Sequence, residues 1–468
     1  MTDPYKKTIV LASELGAHLD SDVTLGGGTD DTEILQKFLD TAPEKGSIRL
    51  IMDGAALVRG LRVHSNTTIE CMNKTCGFYL ADGSDCAVIK NYHLSYTKRI
   101  DHDITLIGGV YNQNCLNQRH DGMYTPLEGE DFTIPGEENV TENVGESISI
   151  WTVGLRFYGV TWLTVRDVTI RDQRTFAGLF ANCEHVDMQN ILIDLPNKMY
   201  AQNQDGLHFW GPSRFITLKN ISGDVGDDFI ALAPGEHDCK SDITDVLIDG
   251  VILNNADQGI RLLSRKDATL DRVIIKNVTG TYRSFGFYVN PWFPGEKPGH
   301  FGHITFDTID IRSTDKAYDY CDQFLFKIGG MVDCLSLRNI THFEPNDDRA
   351  LMYIGKPFYA ELEKGTADVY NDIRQIEIDG LNVVKTDKAS ANAQYIHVDC
   401  TVDHLRLSDV TVINDGGEDT KGGKLLTLGE EGHIGTLLAD GIYTEGLDKV
   451  FDCEGKTDRF ICRNVDEF

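Results

Sequence analysis

The decapeptides FITLKNISGD (residues 215–224), VLIDGVILNN (246–255) and RVIIKNVTGT (272–281) share the pattern that decides the fold. In each of them, alternating apolar residues lead to an Asn or Asp and then alternate again. The pattern recurs from about residue 160 onward, with its Asn or Asp at positions 167, 190, 220, 249, 277, 307, 339, 379, 409, 440 and 464. The intervals run from 23 to 40 residues and cluster near 30. The sequence is therefore built from a repeat.

This repeat predicts strands, because its apolar residues alternate with a period of two. A period near 30 is too short for a propeller blade, and the helical pattern of ankyrin or tetratricopeptide repeats is missing. One coil of such a chain cannot bury its own inner face, whereas stacked coils pair their backbones and share a continuous core. We therefore predict an all-β fold, a single-stranded right-handed parallel β-helix. The competing interpretation is a β-sandwich array of 30-residue hairpins, which the rarity of Asn-Gly hairpin turns disfavours.

The Asn or Asp of each repeat is expected at a bend, because these residues tolerate left-handed backbone geometry. On successive coils they would form a polar ladder. A solenoid also needs capped ends. Residues 20–50 are predicted to form the N-terminal cap and first coil, with a helix that has Thr29 or Asp30 at its N-cap and an apolar stripe formed by Ile34, Leu35, Phe38 and Leu39.

The whole chain, residues 1–468, is predicted to be one β-helix domain, since no stretch reads as a linker. Two segments interrupt the repeat and are predicted to be inserted loops. One is the acidic segment 113–147, and the other is 341–372, which produces the widest interval between repeats. Loops of this length can close one end of a groove.

Composition and charge exclude several kinds of partner. The net charge is −29 and the pI about 4.8, which argues against nucleic acid and anionic membranes. The charge also argues mildly against a polyanionic substrate, unless basic residues are concentrated at the site. A charged surface equally serves solubility. No stretch approaches the 18 apolar residues of a membrane span, and nothing in the sequence decides between a monomer and a homo-oligomer.

Cysteine usage favours a reducing compartment. The sequence has 11 cysteines, an odd number without CxxC pairs, and its first residues make a poor signal peptide. We therefore expect free thiols and a cytoplasmic location. Removal of a leader peptide from the natural chain would make secretion the prediction instead.

Three carboxylates surround one repeat in NQDGLHFWGPSRFITLKNISGDVGDD (203–228). Asp205 lies about one short coil before Asp227 and Asp228, so the three are predicted at one angular position on adjacent coils. Both neighbouring carboxylates can face one groove only at a bend, which Gly226 permits. Like charges held this close raise the pKa of at least one of them, and glycosidic bond hydrolysis needs one protonated and one ionised acid.

Two other interpretations of these carboxylates remain open. Each could be an ordinary turn residue of a β-helix. The set could also bind calcium, with Asp224 and Asp238 adding oxygen ligands, which would suit a polysaccharide lyase.

The motifs around these acids resemble a known family. Asn203-Gln204-Asp205-Gly206 resembles the Asn-Thr-Asp-Gly motif of glycoside hydrolase family 28, the polygalacturonases and their relatives, and Gly226-Asp227-Asp228 resembles its Gly/Gln-Asp-Asp motif. The run ADQGIRLLS (256–264) resembles the segment that carries the family's Arg-Ile-Lys motif. We identify the resemblance over about residues 20–300, and it implies a pectin-lyase-like solenoid.

The resemblance implies hydrolysis by single displacement with inversion. Asp227 would be the general acid, Asp205 and Asp228 would hold and activate the attacking water, and Arg261 would orient the sugar. It implies no cofactor and no metal. Expected sugar contacts are Asn203, His208, Trp210, His237, Arg261 and Trp292, the last because two prolines place it in a loop. Packing in the core is the alternative for each Trp, and a solvated loop position is the alternative for His237.

Departures from the family pattern bear on the substrate. The family's Gly-His-Gly is missing, so His237 is the candidate for its histidine, and Leu263 replaces the motif lysine. His208 occupies a position where polygalacturonases often carry another acid, and its alternative is a simple place on the strand face. We predict a hydrolase of a pectin-related or other plant or microbial glycan. The alternatives are a lyase or fructan-converting β-helix enzyme, or a β-helix that binds glycans without catalysis.

Overall fold

The computed structural model describes residues 7–118, 152–199, 203–236, 241–265, 267–291, 299–317, 322–343, 350–355, 371–385, 393–414 and 422–467. By compactness the chain divides into two units, residues 1–231 and 232–468. Both units consist of stacked parallel strands, so the right-handed parallel β-helix predicted from the repeat is confirmed. That the whole chain forms a single domain stays a prediction.

The first unit contains the helices and the first sixteen strands. The helices are α1 Thr32–Leu39 and α2 Ala42–Lys45, with one-turn 3₁₀ helices at Ser13–Leu15 and Cys115–Asn117. The strands are β1 Lys7–Leu11, β2 Ser47–Met52, β3 Ala55–Val58, β4 Leu61–Val63, β5 Thr67–Cys71, β6 Gly77–Leu80, β7 Ile89–Asn91, β8 Asp101–Ile107, β9 Val110–Asn112, β10 Leu155–Tyr158, β11 Val160–Arg166, β12 Thr169–Arg171, β13 Gly178–Ala181, β14 Glu184–Asp194, β15 Leu207–Trp210 and β16 Ser213–Gly223.

Strand β17 (Asp228–Ala233) runs across the division, and the second unit contains the remaining strands. These are β18 Ile243–Leu262, β19 Thr269–Val289, β20 His300–Ser313, β21 Phe324–Ile328, β22 Met331–Phe343, β23 Ala350–Ile354, β24 Asp372–Lys385, β25 Gln394–Val398, β26 Thr401–Asn414, β27 Lys424–Leu428, β28 His433–Glu445, β29 Lys449–Cys453 and β30 Lys456–Glu467. The short strands from β21 to β29 pair in one parallel series and the long strands from β20 to β30 in another.

The predicted polar ladder is confirmed. The Asn190 amide donates to Asp167 at 2.8 Å, and Asn220 donates to Asn190 at 3.0 Å. All three residues have a positive φ. In the second unit, Asn277 donates to Asp249 at 2.6 Å. Asp249 is itself not left-handed, and the residue after it, Gly250, takes the positive φ; at Asp307 the following Thr308 does so.

The N-terminal helix is confirmed with a shifted start. Its N-cap is Asp31, and Asp30 instead accepts a hydrogen bond from the Thr32 N–H at 2.9 Å. Three of the four residues in the predicted stripe are buried and Ile34 is half-buried. The helix contacts β4, where the Gln36 amide accepts from the Arg62 N–H at 2.8 Å and donates to its carbonyl at 3.1 Å. The side chain thus satisfies strand-edge groups, which is the purpose of a cap.

The predicted loop at 341–372 is partly wrong. Ala350–Ile354 forms β23, which pairs with β21 and β25. This strand is only five residues long and four of them are buried, so it lacks the polar alternation that marks the longer strands. For the predicted loop at 113–147, residues 119–147 lie outside the described part of the chain, and the rest begins directly after β9.

His342 is fully buried in the second unit, and its Nε2 lies 2.9 Å from the Tyr282 hydroxyl. Burial lowers the pKa of His342 to about 3, and the positive charges of Lys385 and Arg312 act in the same direction. The folded protein therefore holds a neutral imidazole at pH values where an exposed histidine is charged.

We expect the free energy of unfolding to fall as pH decreases from about 6.5 towards 3, in part because of His342. In that window the unfolded chain binds a proton at this histidine and the folded protein does not. The contribution is about 1.4 kcal/mol per pH unit. His342→Gln should flatten the pH dependence measured by urea unfolding, whereas His404→Gln, at an exposed position, should not. Equal slopes for wild type and His342→Gln would contradict the prediction.

Candidate active site

The candidate site is built on the short strands of the first unit. Strand β10 pairs with β13, and β13 pairs with β15, so Phe157, Phe180 and Phe209 lie in register. Their rings stack with centroid distances of 6.2 and 4.9 Å and are fully buried. These rings mark the inward face of the strands. Because side chains alternate, the residues between them lie on the opposite, outward face.

Asp205 and Asp228 lie on adjacent coils. Asp205 stands two residues before β15, and Asp228 is the first residue of β17. The N–H of Gly206 donates to the Asp228 carbonyl at 2.9 Å, and this bond joins the two acidic segments. A Cβ at Gly206 would come within 2.2 Å of the Phe229 carbonyl oxygen, so this close approach requires glycine. The predicted one-coil spacing thus brings these two main chains together.

Burial differs among the three acids. Asp205 and Asp228 are only 2% and 4% exposed, whereas Asp227 is half-buried. The chain bends at Gly226 and Asp227, where the sequence predicted a bend. Asp227 is therefore in a more accessible environment than Asp205 and Asp228. Such a difference allows acids of one type to take different roles.

His208 lies against Asp205. A hydrogen bond of 2.7 Å joins Nδ1 of His208 to Oδ2 of Asp205. The imidazole stacks on Phe176 at a centroid distance of 4.6 Å, and Trp210 lies at its edge at 6.0 Å. Because Phe176 holds its ring and Asp205 accepts the hydrogen bond at its Nδ1, His208 fixes the orientation of the Asp205 carboxylate. Its predicted contact with sugar stays a prediction.

Two glutamines hold the main chain of the Asp205 segment. Gln204 is fully buried, and its amide donates to the Gln173 carbonyl at 2.8 Å. The Gln173 amide in turn donates to the Asp205 carbonyl at 3.2 Å. Neither glutamine was predicted from the sequence to support the site. The only signal was the position of Gln204 inside the motif and of Gln173 about one coil earlier.

Of four other residues predicted to contact sugar, the structure describes Asn203 and Trp210. Asn203 has a positive φ of 47° and is half-buried at the start of its segment. Trp210 is buried and packs near Tyr96 and Tyr158, with centroid distances of 6.1 and 6.0 Å, which matches the packing alternative. His237 and Trp292 lie outside the described residues.

In the second unit, Arg261 is half-buried on β18, and its guanidinium lies 5.0 Å from the centre of the Tyr288 ring. Leu263, at the position of the motif lysine, is buried. Lys327 on β21 lies in register with Tyr288 on β19. The sugar-orienting role of Arg261 stays a prediction.

The following observations on metal sites, membrane spans and disulfides concern the described residues only. Among them, no group of three or more His, Cys, Asp and Glu side chains is arranged to hold a metal. Asp224, a candidate calcium ligand, forms an ion pair of 2.7 Å with Lys198, and Asp238 lies outside the described residues. No described helix has the length and apolar character of a transmembrane segment. The nine described cysteines form no disulfide.

Fold and site together define a class of protein. It is a parallel β-helix with buried carboxylates on adjacent coils. Carboxylates in differing environments can supply a proton donor and a base, the requirement for glycosidic bond cleavage.

Comparison with known sequences narrows this class. Residues 149–244 match the family model of glycosyl hydrolases family 28, and all three acids fall in that segment. The resemblance predicted from the motifs is confirmed there, over a shorter range than the motifs suggested. A polygalacturonase of Gossypium barbadense is 28% identical over 186 residues, which cover 39% of this chain and 42% of the relative. The chain thus spans less than half the length of that relative.

Solved structures share the fold. The exopolygalacturonase of Thermotoga maritima is similar with a TM-score of 0.54 and 14% identity, covering 92% of both chains. A tailspike protein of Escherichia coli bacteriophage HK620, solved in complex with a pentasaccharide, has a TM-score of 0.60 and 9% identity and covers 93% of this chain and 77% of its own. At these identities the likeness concerns the fold alone.

Proposed function

We propose that this protein is a glycoside hydrolase that cleaves O-glycosidic bonds of a pectin-related glycan with inversion of anomeric configuration. The observation that carries the proposal is the placement of Asp205 and Asp228, nearly fully buried and linked through Gly206, in the segment that matches family 28. The relatives that are similar in sequence are polygalacturonases, and their names support pectin as the type of substrate.

In the proposed mechanism, Asp227 protonates the leaving oxygen. It is the most accessible of the three acids, and a proton donor must reach the glycosidic oxygen. Asp205 and Asp228 hold the attacking water and take its proton as it adds to the anomeric carbon. His208 keeps the Asp205 carboxylate in one orientation through the 2.7 Å hydrogen bond.

The proposal predicts that the released sugar first appears with inverted anomeric configuration. Water attacks once, from the face opposite to the leaving group, and an inverting pair leaves space for that water. Proton NMR of fresh reaction mixtures, on a panel of uronic and neutral oligosaccharides, would identify the first anomer. Retention of configuration would contradict the inverting mechanism. An unsaturated product absorbing in the ultraviolet would indicate a lyase instead.

A further inference from the structure

An ion pair joins two segments beside the candidate site. Residues 195–199, which we call the clamp segment, follow β14, and residues 224–227 form the bend that ends in the proposed general acid. The Lys198 ammonium lies 2.7 Å from Oδ1 of Asp224, the first residue of the bend. A Cβ at Gly226 would come within 3.3 Å of Cγ of Lys198, so the lysine stem lies against the bend as well.

The clamp segment is fixed on both sides of Lys198. Before it, Asn197 donates from its side-chain amide to the Asp172 carboxylate at 2.9 Å and from its N–H to the same oxygen at 3.3 Å. After it, the Met199 N–H donates to the side-chain oxygen of the fully buried Gln204 at 2.5 Å. The lysine therefore projects from a main chain that is anchored to two successive coils.

The bend is held to the same coil by two main-chain hydrogen bonds. The Asp224 N–H donates to the Ile193 carbonyl at 3.1 Å, and the Gly226 N–H donates to the Gln204 carbonyl at 3.1 Å. The orientation of the Asp227 side chain depends on how this short bend sits. The ion pair adds a side-chain link between the bend and the anchored clamp segment.

Such a link can matter more for catalysis than for stability. The side chains of Lys198 and Asp224 are 22% and 29% exposed, and a partly exposed ion pair contributes little to the stability of a protein. Catalysis is more sensitive, because a displacement of about 1 Å can lower a rate by about 10²-fold. Asp224, which the sequence left open as a calcium ligand, thus takes its cationic partner from the chain itself.

We infer that Lys198 and Asp224 are positioning residues of the active site, whose ion pair holds the bend so that Asp227 reaches the glycosidic oxygen. This inference rests on the proposed function. The pair acts through Asp227 and not on the substrate. It therefore governs proton donation to the leaving group more than substrate binding.

The test compares natural oligosaccharides with nitrophenyl glycosides, which need little protonation of the leaving group. Lys198→Met keeps a long apolar side chain against Gly226 and removes the charge. It should lower kcat on natural oligosaccharides about tenfold, and change KM and the rate on nitrophenyl glycosides less than about twofold. Lys198→Arg keeps the charge and should retain most of the activity. Lys276→Met, which breaks an ion pair of 3.2 Å with Asp249, is the matched control and should change neither rate.

A double variant tests whether the two residues act together. Asp224→Asn removes the other partner and should cause the same selective loss as Lys198→Met. Because partners in one ion pair are not independent, the double variant should lose no more than either single variant. Losses that multiply in the double variant, or equal losses on both kinds of substrate, would overturn the inference.

Hydrogen exchange separates this inference from the proposed function, because it measures the bend without turnover. In Lys198→Met, the amides of residues 224–228 should exchange roughly two- to fivefold faster than in wild type, and in Lys276→Met they should not. Equal exchange in wild type and Lys198→Met would overturn the inference while leaving hydrolysis intact. If wild type hydrolyses none of the substrates, the proposed function fails, and exchange alone decides whether the pair holds the bend.

Discussion

Replacing Asp227 by Asn should lower kcat on natural oligosaccharides by about 10²–10⁴-fold, because the amide cannot protonate the leaving oxygen and general acid catalysis is worth that factor. Substrates with an acidic leaving group, such as nitrophenyl glycosides, need little protonation and should retain most of their rate. Steady-state kinetics on both kinds of substrate check the prediction. Equal losses on both would contradict the assignment of Asp227 as general acid.

A parallel variant distinguishes the base from the acid. Asp205→Asn should lose activity on both kinds of substrate, because activation of water is needed whatever group leaves. Asp103→Asn is a matched control. Asp103 is exposed and has a φ of 54°, which asparagine adopts readily, so its replacement should leave both rates unchanged. Full activity of Asp227→Asn on natural substrates would contradict the proposed mechanism.

Replacing Phe209 by Ala should lower the free energy of unfolding by about 3–5 kcal/mol, the usual loss for a buried phenylalanine. Phe209 is fully buried and stacks on Phe180 at 4.9 Å, so truncation leaves a cavity between coils. Urea unfolding followed by tryptophan fluorescence measures the loss. The loss should be large because the stack fills the inside of β10, β13 and β15, and Asp205 lies two residues before β15.

Phe215→Ala is the control for this prediction. Phe215 begins the next repeat but is 42% exposed, so its truncation should change the free energy of unfolding by less than about 1 kcal/mol. Losses of similar size for the two variants would contradict the assignment of Phe209 to the core.

The sequence predicted the long strands well and the short ones poorly. Long strands such as β16 and β26 alternate between core and solvent, and a left-handed Asn or Asp marks their bend. Short strands such as β13 and β21 are buried on both faces and show no alternation. A short apolar run does not by itself reveal a strand. That is why β23 was mistaken for part of a loop.

The acids were predictable from their spacing, but much of their surroundings was not. Asp205 and Asp228 are separated by one coil, so period alone aligned them. The bond between His208 and Asp205 follows from side-chain orientation, which spacing leaves open. The register of Arg156 with Lys90 was not predicted, because the segment between β9 and β10 interrupts the period. Lys90 and Arg156 are therefore distant in sequence although they lie in register.

The amide ladder has a direction, and that direction affects how coils are added during assembly. Asn220 donates to Asn190, and Asn190 donates to Asp167, which as a carboxylate can only accept. A coil shifted by one residue in one direction would present the apolar Ile191, instead of Asn190, to that acceptor. The ladder thus acts as a one-way check on each new coil. We therefore expect coils stacked in the wrong register to be disfavoured at the bends, before the apolar interior is packed.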